Sequence, residues 1–198
     1  MKANKKKKGE KGYLDYQKRV TVIRTAVLFL LSLAIFFIGF FSTGKKENLL
    51  TIVAVLGCLP ASRSAVNMIM VLRYHGICEG DYEKIRPHAG RCSTLSDLVF
   101  TSYEKNFEIH HMAFKGNSLI GYTANEGCDA KACEKHLHGM CAQNSLSDVE
   151  IKIFRDLPKY LNRLDQLQDL PDYEVEEEGK APVPKAELVC ALMKAISL

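Results

Sequence analysis

No glycine-rich phosphate cradle, no G-x-S-x-G elbow and no H-E-x-x-H pair occurs in the 198 residues. Nothing in the sequence therefore marks a P-loop nucleotide enzyme, an α/β-hydrolase or a helical zinc protease. An even, closely spaced set of cysteines is missing too. The chain has seven, at positions 58, 78, 92, 128, 133, 141 and 190, which does not fit a small secreted disulfide scaffold; mostly reduced thiols are expected. No A-x-A-like cleavage site follows the first apolar run, so an uncleaved anchor is expected rather than a signal peptide. Charge is absent altogether from Thr25 to Gly44.

That uncharged run, "TAVLFLLSLAIFFIGFFSTG", has the length of a bilayer core, about 30 Å at 1.5 Å per residue. A second run follows "KKE". It is uncharged from Asn48 to Ser62, carries Arg63, and continues uncharged from Ser64 to Leu72. A helix entering at Asn48 leaves the hydrocarbon near Asn67, which puts Arg63 within snorkelling reach of the headgroups. Pro60 lacks the N–H of a continuing helix and can kink it there. The rival role for Arg63 is an intramembrane charge lining a pathway. Ala54, Gly57, Ala61 and Ser64 recur at spacings that let two helices approach closely.

Residues 1–24 carry seven Lys and two Arg against Glu10 and Asp15, so the basic pI belongs to this arm, not to the rest of the chain. Lys5, Lys6, Lys7, Lys8 and Lys11 are expected at the membrane surface, where each basic residue near anionic headgroups gains about 1 kcal/mol. A nucleic-acid partner is not expected. Basic residues also follow the second span, whereas the connecting loop is short, so both flanks are expected in the cytosol of a multi-pass cell-membrane protein.

Beyond Leu72 the pattern turns polar. Residues 73–96 read as a linker with a short helix near Asp81–Arg86. Strands are predicted over Leu98–Tyr103, Phe107–Phe114 and Ser118–Thr123 as a meander. In the second, Phe107, Ile109 and Ala113 are expected to alternate with Glu108, His110 and Met112, with His110 and His111 on opposite faces. Asp129 caps a predicted helix to about Gln143, a strand covers Val149–Phe154, and Asp156 with Pro158 opens a helix to about Leu167. Residues 171–183 read as an acidic linker, in which Glu174–Glu178 is a solvated strip or a docking strip for a basic partner. Pro184–Leu198 reads as an amphipathic helix. The domains are thus a basic arm 1–24, a transmembrane hairpin 25–72 (25–44 and 48–67 or 72), the linker 73–96, a domain 97–170, the linker 171–183 and the helix 184–198. The fold class is a two-helix transmembrane hairpin plus a small α/β (α+β) cytosolic domain, in the order α-β-β-β-α-β-α with a C-terminal helix.

That order resembles the core of the restriction-endonuclease-like superfamily over about 75 residues. The resemblance implies an acidic residue on the second strand, a place Glu108 could take, and an acid-x-Lys on the third. The third strand, "SLIGYT", has neither, so the resemblance does not imply an active nuclease.

The most visible chemical constellation is Cys128, Cys133, His136, His138 and Cys141. Cys133 with His136 and His138 with Cys141 are i, i+3 helical neighbours, and zinc is the one cofactor they suggest. The competing expectation is buried thiols, exposed imidazoles and no cofactor. A second set, His75, Cys78, His88 and Cys92, has a nonstandard ligand order. A Cys–His nucleophile using Cys92 or Cys128 is a further candidate. The leading expectation is a membrane-anchored interaction or regulatory module without a catalytic motif, bound to an anionic bilayer and to a protein partner or a second copy. The alternatives are a membrane-tethered enzyme, hydrolase or diverged nuclease-like with zinc as its metal, and a small transport or channel accessory subunit.

Overall fold

A computed structural model describes residues 6–43, 49–103, 105–175 and 182–198. The chain divides into two compact units, one of residues 14–74 and one that joins residues 1–13 to residues 75–198. The loop 44–48, Lys5 and Glu176–Glu178 lie outside the described residues.

The first unit is a helical pair. Helix α1 is Tyr13–Thr43 and helix α2 is Leu49–Leu72. The helix of the first span thus begins well before Thr25, and the second half of the basic arm is helical. Ser32 Oγ donates to the Ala54 carbonyl at 2.6 Å, and Thr25 and Ser64 share a hydroxyl hydrogen bond at 2.8 Å. Two contacts spaced seven residues or more along each helix, in opposite directions, make the pair antiparallel. Gly57 lies opposite Ser32, where an added Cβ would come 3.1 Å from the hydroxyl. Pro60 and Arg63 are exposed on α2, and Ala54, Ala61, Ser64 and Val71 are its buried residues.

The second unit is a sheet with helices on both faces. Helix α3 (Glu79–Ala89) precedes strands β1 (Ser93–Thr101), β2 (Asn106–Lys115) and β3 (Ser118–Tyr122). Helix α4 (Ala130–Gln143), strand β4 (Glu150–Phe154) and helix α5 (Leu157–Leu167) follow. A two-residue ribbon, β5 (Glu174–Val175) with β6 (Val183–Pro184), then leads to helix α6 (Lys185–Ile196). The sheet order is β1-β2-β3-β4, antiparallel up to β3 and parallel between β3 and β4. A parallel neighbour needs a crossover, and α4 supplies it.

Two apolar cores lie on the two faces. Phe100, Phe107, Ile109, Met112 and Phe114 pack with Cys133, Leu137 and Cys141 of α4 and Val189 and Met193 of α6. Ala113, Ile120 and Tyr122 pack with Ile85 of α3 and Tyr160 and Leu164 of α5. The α4 stripe Cys133, Leu137, Cys141 repeats every four residues, as a helix burying one face must. Asp129 caps it, its carboxylate accepting the Ala132 N–H at 3.1 Å.

The expected alternation along β2 does not run its full length. Phe107 and Ile109 share a core with Met112, and Ala113 faces the other way. The cause lies on the neighbouring strand. Asp97 adopts φ +56°, a left-handed conformation that Asp tolerates better than most residues. Asp97 and His110 are the one pair missing from an otherwise continuous β1–β2 register, and the side-chain faces of both strands swap there. Strand β1 therefore starts at Ser93, earlier than Leu98, because its first half carries no clean alternation to betray it.

Both edges of the sheet are covered. On β1, Ser96 N–H donates to the Gly9 carbonyl at 2.8 Å, Leu198 N–H to the Val99 carbonyl at 2.8 Å, and Ser197 bridges Phe100. On β4, Ile153 N–H donates to Glu134 Oε1 at 2.9 Å, and Glu134 also pairs with Lys152. Capping a free edge with a carboxylate blocks strand addition. Glu134→Ala is expected to cost about 1–2 kcal/mol through the lost hydrogen bond and to promote concentration-dependent association, read by thermal unfolding and size-exclusion chromatography. Glu134→Gln, which keeps an acceptor, should do neither.

Candidate functional site

The buried ionisable groups gather where β1 and β2 kink. Asp97 is 2% exposed, Glu108 6%, His110 6% and His111 2%. Carboxylates this deep need hydrogen-bond donors, and here three backbone N–H groups and one side-chain amide supply them. Asp97 accepts from Gly12 through Oδ2 and from Ile77 through Oδ1, the latter at 2.8 Å. Gly12 and Ile77 flank the helical pair in sequence, so one carboxylate holds both the strand of chain that leads into α1 and the one that follows α2. Gly76 is required at this approach, since a Cβ there would meet the carboxylate at 3.1–3.3 Å. Glu108 accepts from His75 N–H and from Asn125 Nδ2, the latter at 3.0 Å.

Strand alternation puts one of the two imidazoles toward solvent and leaves the other half buried, whereas both are buried. His110 Nδ1 accepts the Ala124 N–H at 3.1 Å, which leaves the ring proton on Nε2 in the neutral form. Burial pushes His110 below its ordinary value, against the attraction of Glu108, Asp97 and Asp81. His111 Nδ1 lies 2.6 Å from Tyr160 Oη, and burial lowers its pKa to about 4. Tyr122 donates to Asp81 at 3.0 Å; burial and that carboxylate raise its pKa to about 12.

The basic arm belongs to this site. Gly9, at φ +89°, lies so close to β1 that a Cβ would come 2.8 Å from Leu95 Cδ2. Lys8 Nζ donates to the Ser197 carbonyl, and burial lowers the Lys8 pKa. Lys11 pairs with Glu79 and sits 4.1 Å above the Tyr82 ring centroid, a cation–π contact. Lys6 Nζ donates to the Lys11 carbonyl at 2.7 Å, and the Lys7 amide donates to Glu10 Oε2 at 2.9 Å, while the Lys6 and Lys7 residues are exposed. The sequence identifies these lysines only as a charge cluster. The two glycines that let the arm turn, Gly9 and Gly12 at φ +76°, were the available signal that it docks.

The cysteine–histidine constellation is not brought together. Cys128, Cys133 and Cys141 face the apolar core. His138 is exposed. His136 stacks 6.0 Å from Phe107 in a groove of about 510 Å³ with Lys105 and Lys135. Among the described residues no group of three or more His, Cys, Asp or Glu side chains is placed to hold a metal ion. His75, Cys78, His88 and Cys92 are likewise separate: His88 pairs with Asp165 at 2.7 Å, Cys78 is exposed and Cys92 is half-buried. Burial raises the thiol pKa of both Cys92 and Cys128, the opposite of what an activated thiolate needs. Strand β3 offers Ser118, Leu119, Ile120, Gly121 and Tyr122, neither acid nor lysine, and Glu108 is turned to His75 and Asn125.

Two measurements check this site. Asp97→Asn keeps the left-handed backbone but turns an amide donor toward one N–H; a loss of about 2–3 kcal/mol is expected in thermal unfolding, with faster proteolysis within residues 6–12. The pH dependence follows from His111. Its unfolded imidazole titrates near its usual value and its folded one at about 4, so between these values the unfolded state binds more protons. Stability is complete above the unfolded pKa and falls as pH drops toward 4, by about 2 kcal/mol between about pH 7 and pH 5. His111→Gln should remove most of that slope in urea unfolding.

Compared with known proteins, the chain matches no family model, no curated protein and no solved structure.

Proposed function

We propose that the chain is a membrane-anchored interaction module whose helical pair crosses a cell membrane and whose α+β unit works at the cytosolic surface on a protein partner or a second copy. The observation that carries this is the surface of the two helices. Only 17% of the most apolar window of each is buried, and Ile23, Leu30, Leu31, Ile38, Phe41, Val55 and Leu59 all stand more than half exposed. A core helix of a soluble protein would hide such residues. In water that surface would be far beyond what a soluble chain tolerates; in hydrocarbon it costs nothing.

Topology supports a hairpin with both ends on one side. The segments before α1 and after α2 belong to the same compact unit, which an odd number of crossings would not permit. The excess of Lys and Arg on these flanks supports the cytosol as that side. Arg63, exposed on α2 toward its C-terminal half, fits a residue that reaches for the headgroups.

The buried ionisable groups support binding or regulation over catalysis. Asp97 is committed to backbone N–H donors and Glu108 to one backbone N–H and the Asn125 side-chain amide, so neither carboxylate stands ready as a general base.

In intact cells the chain should resist alkaline carbonate extraction, and the exposed Cys78 should react with a membrane-impermeant maleimide only after the membrane is opened. Release by carbonate, or labelling of Cys78 from outside, would overturn the assignment.

A further inference from the structure

The basic arm faces two partners that it cannot satisfy together. On the domain it is a built clasp. Gly9 carbonyl caps Ser96 N–H on the β1 edge, Gly12 N–H caps the Asp97 carboxylate, Lys8 reaches the Ser197 carbonyl, and Lys11 is held between Glu79 and Tyr82. Lys6 and Lys7 are exposed, and Lys6 Nζ donates to the Lys11 carbonyl within the arm itself. An anionic bilayer would compete for the same ammonium groups, and the two attractions are of similar size, since half-exposed ion pairs contribute little and surface lysines gain modestly from lipid charge.

The two states exclude each other at the ammonium groups: in the clasp Lys8 donates to the Ser197 carbonyl and Lys11 pairs with Glu79, and neither can hold these partners and a headgroup at once. An arm that lets go of β1 can turn to the headgroups.

Resting on the membrane assignment above, we propose that residues 6–12 are an anionic-lipid-operated clasp. Headgroups of net negative charge draw the arm away from the domain through Lys6, Lys7, Lys8 and Lys11, and this uncovers the β1 edge at Ser96 and withdraws the Gly12 N–H from the Asp97 carboxylate. The edge so exposed is a row of unpaired backbone groups suited to a partner's extended strand. Membrane charge thereby controls when the module can bind. Lys8 links the arm to Ser197, whose neighbour Leu198 caps Val99, so release at one end of the edge loosens the cover at the other.

The test uses the full chain in nanodiscs of phosphatidylcholine alone or mixed with phosphatidylserine, with amide hydrogen exchange read at Ser96 and Gly12. Exchange is expected to be faster in the anionic discs by on the order of tenfold, and raised salt should return it to the neutral value. Lys7→Gln should weaken the lipid response while leaving exchange in neutral discs unchanged, because the Lys7 residue meets the arm through its backbone amide, which donates to Glu10. Equal exchange in the two discs overturns the proposal. So does acceleration by soluble inorganic phosphate at matched ionic strength, which would mean that the arm reads free anions and not a surface. Carbonate extraction of the same chain from liposomes separates the two failures: a chain that stays inserted yet shows no lipid response sinks the clasp alone, whereas one that washes off sinks the anchoring as well.

Discussion

One buried carboxylate ties the α+β unit together. Asp97 sits on β1 in a left-handed conformation, and its two oxygens take backbone N–H groups from the segments on either side of the helical pair. A charge at 2% exposure is tolerable only with such donors, each worth about 1.5–3 kcal/mol as a charge-assisted bond. The same residue breaks the β1–β2 pairing and swaps the faces of both strands. Without that kink, Met112 and Phe114 would leave the core they share with Phe107 and Ile109. Glu108 repeats the device one step along, holding His75 and the Asn125 turn.

Around this seam the rest of the unit is arranged to leave little open. A sheet with apolar residues on both faces needs a layer of helix on each, and α4 with α6 on one side and α3 with α5 on the other provide them. Lys185, 6% exposed, anchors the start of α6 to Asn117 and Asp148. The edges are closed by Glu134 on β4 and by the arm and residues 197–198 on β1. The β4 cover is a side chain from a packed helix, whereas the arm is a short polar segment.

The amphipathic and apolar patterns in the chain are local, and they were legible. Two uncharged runs, the Asp129 cap, the β1–β2–β3 meander and the order of the later elements follow from periodicity and turn residues, because each element must match its own side-chain repeat to a flat or cylindrical surface. Long apolar helices need no partner to be recognised. The docking of Lys8 and Lys11 was invisible, because a lysine carries no mark of whether it faces lipid, water or a distant carboxylate. The cysteine–histidine spacing is silent for the same reason: i, i+3 spacing places residues near one another on a helix but does not say that Cys133 and Cys141 turn to the core while His138 turns out.

What the amino-acid order determined by itself was the division of the chain into an apolar helical pair and a polar α+β unit, since burial in lipid or in a core is decided by composition and period over a few turns. Tertiary structure alone decided which charges are buried, that residues before α1 and after α2 meet at one carboxylate, and that the strand faces reverse at Asp97. These depend on pairings between residues 20 to 85 positions apart, and the energy of such a pairing comes from the desolvated site that the whole fold creates, which no local stretch of sequence contains.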